Sequence, residues 1–185
     1  MSFEFEIIQL PPGELEQYAR VPIAFEVASI LDVEERTTGA VLLYERLIQQ
    51  PYIKDYDSIE GASPTLWPGL FSEFEWQMFA AKVSNGLAGG ALALVHPRED
   101  ERVMVLHDLR VSFEARRRGV GQALFRTLES WGRAKGCPVL EVETQNINVP
   151  ACKFYESQGC KLTEINRAAY PELPHEIQLL WRKRL

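Results

Sequence analysis

The hydrophobic period of this chain changes at Gly119. Before it, apolar and polar residues alternate as on half-buried strands, beginning with Phe3, Phe5 and Ile7 against Glu4 and Glu6. From Gly119 to Lys135, Val120, Leu124, Leu128 and Trp131 recur at helical spacing, with Ala123 beside them. Gly136 closes that helix and Pro138 prevents its continuation. Several antiparallel strands followed by strand, helix, strand, helix, strand, strand describe an α/β chain, a mixed sheet flanked by helices. At 185 residues it is expected to fold as a single domain over 1–185, with no internal repeat or low-complexity tract.

The individual elements follow from local signals. Pro11-Pro12-Gly13 ends the first strand, and a short helix over Leu15–Arg20 stops before Pro22. Val21–Leu31 reads as a strand, Thr38-Gly39 as a turn, and Val41–Ile48 as a strand, because Pro51 follows and no cap precedes. Residues 51–75 carry Pro51, Gly61, Pro64, Pro68 and Gly69, which predicts a long loop with helical pieces at most. Loops of that length tend to bind or cover a ligand. Gln77–Val83 and Leu87–Val95 flank Asn85-Gly86, the pair suited to a type I′ hairpin turn. After the charged turn at Pro97–Glu101, Arg102–Val111 reads as a further strand. Beyond the long helix, Val139–Thr144 is a strand and Val149–Gln158 a helix, with Pro150 in its first turn and Gly159 at its end. Cys160–Asn166 and Glu176–Trp181 close as strands.

Charge and composition exclude some partners. A net charge of −6 and a pI near 5.2 argue against nucleic-acid binding, which needs a basic face, and are compatible with a cationic substrate. No stretch approaches the roughly 18 apolar residues of a membrane span. The start, from Met1 to Glu6, lacks the basic and apolar segments of a signal peptide, so a cytoplasmic location is expected. Cys137, Cys152 and Cys160 fit neither a metal pattern nor a disulfide framework and read as small buried hydrophobes. His96, His107 and His175 are scattered, so no metal is expected.

The most informative stretch is Asp108-Leu109-Arg110-Val111 followed by Arg116-Arg117-Arg118-Gly119-Val120-Gly121-Gln122. The first N–H groups of a helix, at its positive dipole end, attract an anion. Glycines let a phosphate approach the backbone closely, and the arginines add positive charge in an acidic chain. The pattern suits a pyrophosphate. It is not a P-loop, since G-x-x-x-x-G-K-[ST] is absent. A Rossmann fingerprint would need glycine where Leu124 stands, and its turn follows the strand directly, whereas Glu114–Arg118 intervenes here.

Arg116-x-x-Gly119-x-Gly121 resembles motif A of the GNAT superfamily of N-acetyltransferases. The segment Glu141-Val142-Glu143-Thr144-Gln145-Asn146-Ile147-Asn148-Val149-Pro150-Ala151-Cys152-Lys153-Phe154-Tyr155 is similar to streptothricin acetyltransferases and their relatives, as are 51–57 and the closing 176–181. The strong match covers roughly residues 105–183. The resemblance implies the GNAT fold, a splayed, mostly antiparallel sheet with acetyl-CoA in the opening between two central strands. It implies that backbone groups of Leu109, Arg110 and Val111 pair with the pantetheine arm like an added strand. It places the pyrophosphate on backbone amides from Arg116 through Arg117, Arg118, Gly119, Val120 and Gly121 to Gln122. It makes Asn148 a polar contact to CoA, and sets the Tyr155 hydroxyl toward the CoA sulfur. Members of the family often pair as dimers, so a homodimer is also an expectation.

Acetyl transfer to an amine sets three requirements. The amine, with an ordinary pKa around 10.4, must lose a proton before it attacks. The carbonyl oxygen needs donors, for which the Val111 N–H is the candidate. The leaving thiolate needs an acid, for which Tyr155 is the candidate. For the base, the resemblance to related N-acetyltransferases points to Glu143 by its position on the strand, Asp108 is a rival, and a water relay or no single base remains open. Glu141 and Glu143 project to one strand face, where each could raise the other's pKa. Asp55, Asp57 and Glu60 in the long loop could attract a cationic amine or simply solubilise the loop. The expected acceptor is a small-molecule amine, streptothricin among the candidates. The rivals are a protein or peptide N-terminal acetyltransferase and a non-catalytic CoA-binding module.

Overall fold

The computed structural model describes residues 3–35, 41–59, 61–99 and 101–185. The turn expected at Thr38-Gly39 and the loop residue Glu60 lie outside them. The strands are β1 (Glu6–Leu10), β2 (Phe25–Glu35), β3 (Val41–Lys54), β4 (Glu75–Val83), β5 (Gly86–Pro97), β6 (Arg102–Val111), β7 (Val139–Gln145), β8 (Lys161–Asn166) and β9 (Gln178–Arg184). The α-helices are α1 (Leu15–Ala19), α2 (Trp67–Leu70), α3 (Val120–Ala134) and α4 (Val149–Ser157), joined by short 3-10 turns at Pro12–Glu14, Tyr56–Ser58, Pro64–Leu66 and Phe113–Ala115.

The chain divides into two compact units. The first holds residues up to Ile23, Asp55–Val142 and Lys183–Leu185; the second holds Ala24–Lys54 and Glu143–Arg182. In the first, the strand order is β1-β4-β5-β6-β7, antiparallel except for the parallel pairing of β6 with β7. In the second, β2 and β3 form an antiparallel pair, and β9 lies between β7 and β8 in strand order, antiparallel to β8. The expected mixed, mostly antiparallel sheet with flanking helices is present.

Strand β5 explains how helices reach both faces of the first unit's sheet. Its residues Ala88 to Val95 are all buried. Gly89 and Gly90 point to opposite faces, as neighbours in a strand must. A Cβ on Gly89 would lie 2.9 Å from Val120 Cγ1 and 3.2 Å from Leu124 Cδ1, so α3 rests directly on the backbone there. The α3 side chains Val120, Leu124, Phe125 and Leu128 are fully buried. On the other face a Cβ on Gly90 would lie 2.4 Å from Tyr18 Cε2. Tyr18 belongs to a cluster with Leu10, Leu15, Trp67, Phe71, Met78 and Leu92.

Several boundaries differ from the sequence reading. The first strand is Glu6–Leu10, shifted toward the proline pair that stops it. β2 begins at Phe25, four residues after Val21. β3 continues through Pro51 to Lys54, where Ile48 had been the expected end. Pro51 is tolerated because the register jumps from Val27↔Tyr52 to Ser29↔Leu47, and it falls in that irregularity, where no ladder N–H is required of it. The last strand runs Gln178–Arg184 rather than Glu176–Trp181. The β4–β5 hairpin forms where expected, but its turn is not type I′. Val83↔Gly86 closes the ladder around Ser84-Asn85, and Gly86 has φ 131° while Asn85 is not left-handed. Type I′ needs positive φ at both central residues. The extra residue is absorbed by a register shift beyond Ala81.

The close approach at Gly90 is open to a direct test. Gly90→Ala places a methyl into the Tyr18 ring and is expected to cost about 1–3 kcal/mol, read as a lower urea midpoint. Gly69→Ala, whose Cβ would meet nothing within 4 Å, is expected to leave the midpoint unchanged or raised.

Candidate active site

In the first unit the site begins where β6 loses a partner. Among the described residues, β6 pairs with β7 from Val103↔Val139 to Leu106↔Val142 and no further. Among the described residues it continues to Val111 paired with β5, after a register shift between Leu92 and Ala93. Leu109, Arg110 and Val111 therefore keep one ladder edge available to an added strand. The chain then turns through Phe113–Ala115 into α3. Arg116 Nε donates to the Val111 carbonyl at 3.0 Å, and its guanidinium lies 4.0 Å from the Phe113 ring centroid. Arg117 has φ 61° and is exposed, and exposed Arg118 lies over the Phe3 ring at 5.2 Å. The run of three arginines is thus divided: one packs the turn and two face solvent.

Gly119 is the N-cap of α3, left-handed at φ 85°, with no side-chain cap. The first intrahelical bond is Ala123 N–H to the Gly119 carbonyl at 2.9 Å, so the N–H groups of Val120, Gly121 and Gln122 have no acceptor within the helix. A Cβ built on Gly119 would meet nothing within 4 Å. This open, uncapped helix start has the geometry of an anion cradle.

Arg110, beside that open edge, is fully buried by its side chain. Its Nε and Nη2 donate to Asp108 Oδ1 and Oδ2 at 2.8 and 2.9 Å. Its Nη1 and Nη2 donate to Asp57 Oδ2 and Oδ1 at 2.7 and 3.1 Å, and Nη1 also donates to the Val21 carbonyl at 3.1 Å. Burial alone would lower the Arg110 pKa, but the Asp108 and Asp57 carboxylates outweigh it and hold the guanidinium well above its usual range. Asp108 Oδ1 also accepts from the Tyr18 hydroxyl at 2.5 Å, and burial with the Asp108 charge pushes the Tyr18 pKa up. Asp108 therefore already accepts three hydrogen bonds. Of the loop acids, Asp57 is bound to Arg110, and Asp55 accepts from the Asp57 N–H at 3.1 Å to shape the 3-10 turn.

In the second unit, exposed Glu143 on β7 is held on both oxygens. Oε1 accepts from the Tyr170 hydroxyl and from Gln145 Nε2 at 3.3 Å, and Oε2 accepts from Gln178 Nε2 at 2.7 Å. Asn148 is the N-cap of α4, its Oδ1 accepting from the Ala151 N–H at 3.2 Å. Tyr155 is buried in α4 with its ring 5.3 Å from that of Phe154. Cys152 is buried, 3.3 Å from Thr144 Oγ1, and burial pushes its thiol up to about 11. Asn146 joins three segments: its Nδ2 donates to the Leu31 carbonyl at 3.2 Å and its Oδ1 accepts from the Ile177 N–H at 2.8 Å. In the first unit Glu141 is ion-paired to Arg98 at 2.7 Å, so each of the two β7 glutamates has partners of its own.

The family profile described as "Acetyltransferase (GNAT) family" matches residues 47–160, more than half of the chain. The chain belongs to the GNAT acetyltransferase family. Streptothricin acetyltransferase of Streptomyces lavendulae is 23% identical over 166 residues, covering 90% of this chain and 86% of that one. Streptothricin acetyltransferase A of Bacillus subtilis (strain 168) is 30% identical over 79 residues, 42% of this chain and 46% of its own length, so the chain spans about half of that relative. In fold, a candidate streptothricin acetyltransferase from Bacillus anthracis str. Ames, solved in complex with acetyl coenzyme A, superposes with TM-score 0.79 and 21% identity over 100% of this chain and 99% of that one.

In this GNAT chain the structure sets Asp108, Leu109–Val111 and Arg116–Gln122 on one continuous strand, turn and helix of the first unit, and Glu143, Asn148 and Tyr155 on one strand and helix of the second. Reading the residues alone missed the partners. Tyr18 and Val21 stand about ninety residues from Asp108 and Arg110, and Tyr170 and Gln178 stand 27 and 35 residues from Glu143, with no local signal to announce the pairing. Gln145 lay inside the E-T-Q-N segment and was the one recognisable clue.

Two outcomes test this geometry. Arg110→Leu strands two carboxylates and is expected to destabilise by about 3–5 kcal/mol in urea unfolding, with little recovery in Arg110→Lys, which lacks the fork. The second concerns Cys152, whose thiol near 11 is raised above its unfolded value. Its contribution to stability is therefore complete below the unfolded thiol's pKa and lost as pH rises through about 11. Native alkylation of Cys152, followed by peptide mass spectrometry, is expected to be negligible at neutral pH.

Proposed function

We propose that this chain transfers the acetyl group of acetyl-CoA to a primary amine of a small molecule, a streptothricin-like cationic antibiotic, acting in the cytoplasm as one domain over residues 1–185. The observation that carries the reading is the uncapped start of α3 at Gly119, next to the unpaired edge of Leu109–Val111. The residues fit the co-substrate: the helix start offers N–H groups with no acceptor within the helix and no Cβ where a pyrophosphate would lie, and the β6 edge suits an amide-bearing arm. Support also comes from the two streptothricin acetyltransferases and from the relative that holds acetyl coenzyme A.

Acetyl-CoA supplies the acetyl thioester. Backbone amides from Arg116 to Gln122 hold its diphosphate, and the amide end of Asn148 adds a polar contact. Glu143 takes the proton that the acceptor ammonium must lose, since its carboxylate is exposed, while Asp108 is sealed under Tyr18 and Arg110. The Val111 N–H donates to the carbonyl oxygen as negative charge grows there. The new C–N bond forms as the C–S bond breaks, and the Tyr155 hydroxyl gives its proton to the departing sulfur.

The test is thiol release from acetyl-CoA in the presence of streptothricin, polyamines, amino acids and an N-terminal peptide. Release with a cationic small amine, undiminished by excess peptide, is the expected result, and silence across the whole panel overturns the reading. Tyr155→Phe is expected to lower kcat by about 10²–10⁴-fold while CoA affinity stays close to that of the parent.

A further inference from the structure

We infer that Tyr170 is a positioning residue for Glu143, fixing that carboxylate so that a single lone pair on Oε2 is left to receive the acceptor's proton. The inference rests on the reading of Glu143 as the base. Each carboxylate oxygen offers two acceptor positions. On Oε1 both are taken, one by the Tyr170 hydroxyl and one by Gln145 Nε2 at 3.3 Å. On Oε2 one is taken, by Gln178 Nε2 at 2.7 Å. The remaining position on Oε2 is the one through which Glu143 can act.

The direction of the Tyr170 bond is fixed by its neighbour. Gln145 Nε2 donates to the Tyr170 oxygen at 2.8 Å, so the phenol's own proton is directed to Glu143. Burial first, and the bond to Glu143 second, push the Tyr170 pKa up, so the phenol stays a donor and does not compete as a base.

The segment that carries Tyr170 is itself anchored. Leu173 N–H donates to the Tyr170 carbonyl at 2.9 Å and Glu176 N–H to the Leu173 carbonyl at 2.9 Å. Lys54 Nζ pairs with Glu176 at 2.5 Å, and Ile177 exchanges bonds with Asn146 on both its N–H and its carbonyl, at 2.8 and 2.9 Å. An exposed glutamate on a solvated face has no need of donors from three separate places in the chain. A base that must meet an ammonium along one line does, because small misplacements of a reacting group cost up to about 10²-fold in rate.

The experiment is a double-mutant cycle of Tyr170→Phe and Glu143→Gln, read as kcat and as KM for acetyl-CoA with the best amine of the panel. Tyr170→Phe is expected to lower kcat about 10- to 100-fold with KM for acetyl-CoA changed less than about twofold. The double variant is expected to be no slower than Glu143→Gln alone, since a positioning group has nothing left to position. If Tyr170→Phe keeps the parent kcat while Glu143→Gln loses it, or if the two losses multiply, the inference falls and the function stands. If Glu143→Gln itself keeps the parent kcat, the base assignment falls and takes the inference with it. Should Tyr170→Phe fail to fold by circular dichroism, Gln178→Leu, which frees Oε2 instead, enters the same cycle and is judged by the same non-additivity.

Discussion

A guanidinium taken fully out of water is tolerable only where its donors find acceptors and its charge is answered. Arg110 meets both conditions, with five N–H groups directed at five oxygens of Asp108, Asp57 and Val21. Much of the first unit follows from it. Tyr18 must reach Asp108, so α1 must lie close on β5, and Gly90 is the residue that lets the ring in. The 3-10 turn at Tyr56–Ser58 must present Asp57, and Asp55 bends the backbone to do so. The Arg110 cation also lies 5.1 Å from the Tyr18 ring centroid and 5.7 Å from that of Trp67, which fixes the aromatic side of the pocket around it. The backbone of Leu109–Val111, the part of β6 with an open edge, thus carries at its centre a buried side chain bonded to two distant segments of the chain.

At Glu143 the donors are neutral, whereas Asp108 faces a charged guanidinium. Glu143 is held by a phenol and two primary amides. Such donors orient a carboxylate without cancelling its charge, whereas the guanidinium at Asp108 does cancel it. The two carboxylates proposed from sequence as bases thus have different chemistry. One lies in a buried ion pair, and the other is exposed and held by uncharged donors.

How far the sequence could be read depended on the range of each interaction. The α3 start was legible because Gly119, Gly121 and the arginines before them are adjacent in the chain, and the anion-binding property of a helix N-terminus is local. The β4–β5 hairpin was legible as a pair of strands, but its turn type was not, because the register shift at Ala81 moved the loop to Ser84-Asn85. β3 was cut short at Ile48 because a proline inside a strand reads as a stop, and only pairing to β2 shows an irregularity that accommodates it. Asp57 read as an acid that attracts a cationic amine or solubilises the loop, not as a partner of Arg110, since that partner lies 53 residues away. Tyr170, in a segment of turns and prolines, carried no period to mark it as more than packing.

The acceptors of Arg110 come from widely separated parts of the chain, 89 residues away for the Val21 carbonyl and 53 for Asp57. During folding the β5–β6 hairpin can zip early from local contacts, but the guanidinium it carries cannot leave water until both distant segments have arrived. Closure around this charge therefore waits on contacts of high sequence separation, and the guanidinium is buried only once the N-terminal segment has docked.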